Sequence, residues 1–193
     1  MGAPTSNSPS RIVTTRADQQ VEAPIAGAVL RDLVRHPDPR GGFTETFRQE
    51  WIDGPAMLQG NRSDSHAGVI RGLHFHRQQA DYWVCTRGRL VACLHDLRRT
   101  SPTRGTTWMV ELPGDSSRSL YIPPGIAHGF GAIEESTLTY LVDRTYDPRD
   151  EFGIRYDDPV VGADWASWGI EEPILSNRDH EAPLVADLAS DLP

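Results

Sequence analysis

Tyr82-Trp83-Val84-Cys85-Thr86-Arg87-Gly88-Arg89-Leu90-Val91-Ala92-Cys93-Leu94-His95 reads as two short apolar runs, Tyr82–Thr86 and Leu90–His95, joined at Arg87-Gly88-Arg89. Short runs rich in β-branched and aromatic residues and broken by glycine are strands rather than helices. Cys85 and Cys93 flank the turn and are expected to face one another across a hairpin as buried thiols. Two cysteines are too few for a secreted disulfide scaffold.

The same punctuation continues on both sides of this stretch. Ala28–Leu33, Phe43–Phe47 and Val69–His74 precede it, and Trp108–Leu112, Leu120–Ile122 and Thr137–Val142 follow it as further strands. Turn residues separate them at Asp38-Pro39-Arg40-Gly41-Gly42, Leu112-Pro113-Gly114-Asp115 and Pro123-Pro124-Gly125. About eight strands without a long helical pattern predict an all-β chain, a double-sheet jelly-roll barrel. Residues 1–23 are polar and aperiodic and read as a loose tail, so the jelly roll is expected over 24–175. Ser176-Asn177-Arg178-Asp179 is a helix start, which leaves a short C-terminal helix and tail over 176–193.

At 193 residues the chain fits one domain with a full hydrophobic core, and its 15 prolines and 17 glycines disfavour a helical bundle. A formal net charge of −8 argues against nucleic acid or an anionic membrane as partner. The N-terminus lacks an apolar run and no stretch approaches membrane-spanning length, so a cytoplasmic location is expected. All 19 basic residues are arginines. Chemistry that needs a lysine, such as a Schiff base, is therefore excluded.

Polar side chains concentrate where strands belong. Gln59-Gly60-Asn61-Arg62-Ser63-Asp64-Ser65 leads into Gly68-Val69-Ile70-Arg71-Gly72-Leu73-His74-Phe75-His76. Alternation places Gly72, His74 and His76 on one face and Leu73 and Phe75 on the other, which suggests a polar barrel interior. A solvated edge strand is the plainer alternative. His128 follows the turn at Pro123-Pro124-Gly125 and could face the same interior or cap that turn. Tyr140 shares a face with Leu138 and Val142, as a core aromatic or an acid. Arg155-Tyr156-Asp157-Asp158-Pro159 sets two carboxylates beside an arginine, or forms a solvated turn.

Taken together the motifs resemble one family. Asp38-Pro39-Arg40-Gly41-Gly42-Phe43-Thr44-Glu45, Gln59-x-Asn61-x-Ser63-x-Ser65 and Gly68-Val69-Ile70-Arg71-Gly72-Leu73-His74 are similar to segments of the dTDP-4-dehydrorhamnose 3,5-epimerases, nucleotide-sugar enzymes of cupin fold. Asp96-Leu97-Arg98, Ser101-Pro102-Thr103, Pro124-Gly125-x-x-His128-Gly129-Phe130, Tyr140 and Asp157-Asp158-Pro159 follow in the family's order, and the likeness covers about residues 28–180. The resemblance implies inversion at carbon 3, with or without carbon 5, of a dTDP-4-keto-6-deoxyhexose through an enolate. It implies His74 as general base, Asp158 as the carboxylate that orients it, and Tyr140 as the acid on the opposite face. Arg40 and Arg71 would hold the diphosphate, although alternation turns Arg71 away from His74 unless the strand bulges. Glu45, Gln59, Asn61 and His128 would contact nucleotide or sugar. No cofactor is implied, and the usual assembly is a homodimer.

Two positions depart from the family. His76 stands where it usually has glutamine, and Asp81 where it usually has a lysine thought to stabilise the enolate. A carboxylate in place of a cation near an oxyanion is costly in a dry site. The spacing Gly68-x5-His74-x-His76-x4-Asp81-x6-Gly88 with Pro123-x-Gly125-x2-His128 also resembles the metal-binding signature of cupins. The alternative reading is therefore a metal-dependent cupin, an oxygenase or isomerase, with a divalent transition metal on His74, His76, Asp81 and His128. An ion pair between His76 and Asp81 would account for the same residues without a metal.

Overall fold

The structure, a computed structural model, describes residues 20–188 and 192–193. Most of the expected tail, residues 1–19, lies outside the described residues. The strands are β1 (Gln20–Val21), β2 (Val29–Asp32), β3 (Arg35–Asp38), β4 (Gly41–Thr44), β5 (Gln59–Ser65), β6 (Ile70–Phe75), β7 (Asp81–Arg87), β8 (Arg89–Asp96), β9 (Thr107–Pro113), β10 (Arg118–Ile122), β11 (Ile126–Ala132), β12 (Ser136–Val142) and β13 (Phe152–Gly153). One short helix, α1 (Asn177–His180), begins on Ser176, whose side chain accepts from the Asp179 backbone N–H. Among the described residues no helix is long and apolar enough to cross a membrane.

Two antiparallel sheets face each other as a double-sheet jelly roll. One has the order β1-β2-β10-β7-β12-β5 and the other β13-β6-β11-β8-β9, while β3 and β4 pair as a separate hairpin. The turn at Arg87-Gly88-Arg89 does not close a hairpin. It carries the chain from β7 in one sheet to β8 in the other. Gly88 adopts φ +73°, and a Cβ there would lie 2.2 Å from the Glu135 carbonyl oxygen. The crossing separates the two cysteines. Cys85 packs in the cluster between the sheets and Cys93 in a second cluster behind the five-stranded sheet. Burial pushes their thiols up to about 11 and about 12, so both stay protonated and inert.

Period-2 patterning sorts the side chains into three layers. Between the sheets lie Trp83, Cys85, Leu120 and Leu138 of one and Leu90, Ala92, Leu94, Leu112 and Phe130 of the other. Behind the five-stranded sheet, Ile70, Leu73, Phe75, Val91 and Cys93 are covered by Ile154, Val161, Trp165 and Ile170 of the C-terminal segment. Tyr82, Val84 and Tyr121 form a smaller cluster on the outer face of the six-stranded sheet, with Leu33 and Ile52. Each fully buried aliphatic side chain contributes about 2 kcal/mol. The strands are therefore held by the sandwich and by the C-terminal segment laid across its back.

Asp96, fully buried at the end of β8, closes the loop to β9. It accepts from Arg98 Nη2 and Thr103 Oγ1 at 2.7 Å each and from the Ser101 hydroxyl, while Arg98 Nη2 also donates to the Ala26 carbonyl at 2.8 Å. Burial alone would raise the Asp96 pKa, but Arg98, Ser101 and Thr103 outweigh it and hold the carboxyl well below its ordinary 3.8. Because the folded value lies below the unfolded one, this contribution is present above pH 4 or so and is lost as the pH falls further. We expect Asp96→Ala to cost roughly 3 kcal/mol, as removal of one partner from a buried charged network does. Denaturant unfolding at pH 7 and at pH 3 checks this, and the difference between wild type and variant should shrink at the lower pH.

Candidate active site

A cavity of about 440 Å³ opens between the sheets. Alternate residues of extended strands face it from one side: Gln59, Asn61 and Ser63 of β5, Asp81 and Trp83 of β7, and Leu138, Tyr140 and Val142 of β12. The register sets Tyr140 between Asn61 on one neighbouring strand and Trp83 on the other. The five-stranded sheet contributes Arg71 and His74 of β6, with His76 just beyond the strand, and His128 and Phe130 of β11.

Strict alternation cannot bring Arg71 and His74 to one face. The pairing of β6 with β11 supplies the missing device. His74 lies opposite His128 and Arg71 opposite Phe130, so three steps along β6 match two along β11, a β-bulge. Gly72 absorbs the extra residue at φ +113°, and a Cβ on it would sit 2.8 Å from both Gly129 Cα and the His128 carbonyl oxygen. Arg71 thereby reaches the cavity wall, where its Nε donates to Ser65 Oγ and its Nη2 to the Asp64 carbonyl, each at 3.0 Å. Ile70, Leu73 and Phe75 stay in the cluster behind the sheet.

His74 Nε2 lies 2.7 Å from Asp179 Oδ1 on α1. Burial opposes ionisation of Asp179, but the hydrogen bond and charge of His74 outweigh it, with help from Ser176 and the Gly72 N–H, and its pKa is lowered. An ionised carboxylate only accepts, so His74 Nε2 holds the proton and Nδ1 carries the free lone pair. This corrects the expected partner. Asp158, buried at 1% exposure, instead accepts from the backbone N–H groups of Val160 and Val185 at 2.7 Å, tying the C-terminal segment together. Asp179 was legible in the sequence only as a helix start. The chain separation of 105 residues from His74 left no local signal for the pair.

The other imidazoles are oriented by backbone carbonyls. His76 Nδ1 donates to Asp150 O at 2.7 Å and His128 Nδ1 to Ile126 O at 2.9 Å, which leaves Nε2 of each ring as the unprotonated nitrogen when the ring is neutral. Burial lowers the His128 pKa despite the pull of Asp81. Asp81 is buried and accepts from Gln79 Nε2 at 2.9 Å and Trp83 Nε1 at 3.1 Å. His128 Nε2 lies 4.0 Å from Asp81 Oδ2. The candidate ligand atoms of His76, Asp81 and His128 all lie within 4.8 Å of one another. His74, expected as a fourth ligand, falls outside this group because Asp179 holds its ring.

Tyr140 stands on the sheet opposite His74. Burial raises its pKa, and the carboxylates of Asp81 and Glu151 add to the effect, so the phenol stays protonated at neutral pH. Gln59 and Asn61 are linked in the cavity wall by a 2.8 Å bond. Glu151 and Tyr146, which no motif reading singled out, complete the wall from the segment after β12. Arg40 and Glu45 do not line it. Arg40 sits on the β3–β4 hairpin with an 89% exposed side chain paired to Asp38, and Glu45 pairs with Arg48.

A hydrogen-bonded His–Asp pair facing a protonated tyrosine across a polar jelly-roll cavity defines an acid–base enzyme site of the isomerase kind. The family model for dTDP-4-dehydrorhamnose 3,5-epimerase matches residues 22–187, and the chain belongs to that family. A dTDP-4-dehydrorhamnose 3-epimerase of Streptomyces niveus is 42% identical over 159 residues, 78% of this chain and 75% of the relative. The rmlC epimerase of Mycobacterium tuberculosis superposes with a TM-score of 0.85 at 34% identity, covering 91% of this chain and 93% of that one. NovW, a 4-keto-6-deoxy sugar epimerase from the novobiocin biosynthetic gene cluster of Streptomyces spheroides, gives 0.84 at 36% identity, covering 95% and 97%.

The two aspartates make opposite predictions. Asp179→Asn should lower turnover by about two to four orders of magnitude with little change in stability, because the imidazole loses its tautomer and orientation. Asp158→Asn should lower stability by roughly 1–3 kcal/mol and leave turnover per folded molecule nearly unchanged. Steady-state kinetics paired with thermal unfolding of both variants separates the roles.

Proposed function

We propose that the chain epimerises a dTDP-4-keto-6-deoxyhexose at carbon 3, and at carbon 5 where the sugar can be re-presented, through an enolate. The observation that carries this reading is His74, backed by Asp179 at 2.7 Å, facing Tyr140 across the cavity between the sheets. A 4-keto group acidifies the protons on carbons 3 and 5. His74 Nδ1 removes one of them, and the imidazolium that forms is stabilised by Asp179. Tyr140 then delivers a proton to the other face of the same carbon, which inverts it. Arg71 and the Gln59–Asn61 pair supply hydrogen-bond donors for the diphosphate and sugar. No redox step is needed.

A homodimer is part of the proposal. Arg40 and Phe43 lie on a hairpin whose side chains are exposed, Phe43 at 63%, and away from this chain's own cavity. A second copy gives that hairpin a surface to meet and a route by which Arg40 and Glu45 reach substrate. A cytoplasmic location accords with an activated sugar nucleotide as substrate.

Solvent deuterium wash-in tests the reaction. Incubation with dTDP-4-keto-6-deoxyglucose in heavy water should place label at carbon 3, with label at carbon 5 marking the double epimerase. His74→Asn should abolish exchange by at least about 10³-fold. Tyr140→Phe should retain proton abstraction and lose most of the inverted product. Full epimerisation by the His74 variant would refute the assignment.

A further inference from the structure

Three electron-pair donors lie together on the cavity wall. His76 and His128 each give their Nδ1 proton to a backbone carbonyl, at 2.7 and 2.9 Å, and in the neutral rings Nε2 holds a lone pair. Asp81 completes the group, one ligand atom from each of the three residues lying within 4.8 Å of the others. The carboxylate is held in place by Gln79 and Trp83, at 2.9 and 3.1 Å. Every member thus has an outer partner that fixes its orientation, the arrangement by which proteins prepare imidazole and carboxylate to ligate a metal. Asp81 is 4% and His128 6% exposed, so both are largely withdrawn from bulk solvent.

We infer that the chain binds a divalent first-row transition cation through His76 Nε2, Asp81 and His128 Nε2. Two imidazoles and one carboxylate bring a single negative charge, leave coordination positions open toward the cavity, and suit Fe, Mn, Co or Zn in the divalent state. The site stands on this geometry alone; its role rests on the proposed epimerisation. Among the described residues lining the cavity Arg71 is the one formal cation, set against the carboxylate of Asp81 and that of Glu151, which Arg178 pairs. Proton abstraction there would develop an oxyanion in a wall that also holds the buried Asp81 carboxylate. A bound dication would offset the Asp81 carboxylate and supply Lewis-acid polarisation of the keto oxygen, while His74, held by Asp179 outside the ligand set, would remain the base.

The test uses full-length protein purified without a metal-binding tag, stripped by chelation and titrated with Co(II). We expect one equivalent to bind with visible d–d absorption. Asp81→Asn should weaken binding at least about 100-fold and His76→Gln at least about 10-fold, the loss of a ligand being no milder than loss of an outer partner. Unchanged circular dichroism of the partly exposed His76 variant guards against misfolding as the cause. His74→Asn should bind Co(II) as wild type does. Absence of stoichiometric binding, or binding that both ligand variants leave intact, overturns the site. Deuterium wash-in at carbon 3 should fall at least about 10-fold in chelated protein and return with Co(II). Wash-in absent with and without Co(II) removes the epimerase reading and leaves the metal site. Undiminished wash-in in chelated protein overturns the catalytic role.

Discussion

The pairing of β6 with β11 is the constraint on which the rest of the site depends. One extra residue in β6, accommodated because Gly72 and Gly129 carry no Cβ, reverses the side-chain alternation between Arg71 and Leu73. Polar side chains on either side of the bulge then share the cavity, while Ile70, Leu73 and Phe75 keep their places in the cluster behind the sheet. Without the bulge, alternation that buries Leu73 and Phe75 would also turn Arg71 to the back of the sheet. Apolar burial behind and polar function in front are reconciled at a single glycine.

The back of that sheet matters for a second reason. The C-terminal segment that covers it with Val161, Trp165 and Ile170 also delivers α1, and with it Asp179, to the edge of β6 beside His74. Asp158 works within the same segment by binding the amides of Val160 and Val185. Two buried aspartates therefore serve one end, the first by holding the base and the second by holding the chain that brings the first. Their sequence contexts do not differ in any way that announces which is which.

A buried carboxylate, Asp81, is unusual in a site that forms an oxyanion. Asp81 and Glu151 line the cavity with Arg71, Glu151 is paired with Arg178, and Tyr140 is kept protonated by burial and by those carboxylates. His76 and Asp81, the two positions where the chain departs from its family's usual residues, adjoin His128 in one cluster. That the departures fall together in space is the observation on which the inferred cation site rests, in a chain that has no lysine.

Much of this was readable in the chain itself. Short apolar runs broken by proline and glycine determined an all-β sandwich, because strand length and period follow from local patterning. The ordered motifs around Gln59, His74, His128 and Tyr140 picked out residues that do converge. Tertiary structure alone decided the rest. Cys85 and Cys93 part company because Gly88 carries the chain between sheets, a choice that a turn sequence shares with an ordinary hairpin. Arg71 joins His74 through a register shift that depends on the partner strand. Asp179 rather than Asp158 meets His74, Asp81 lies 4.0 Å from His128, and Arg40 stands outside the cavity. Each is a pairing between residues far apart in the chain, set by which surfaces pack together, and local sequence carries no record of that.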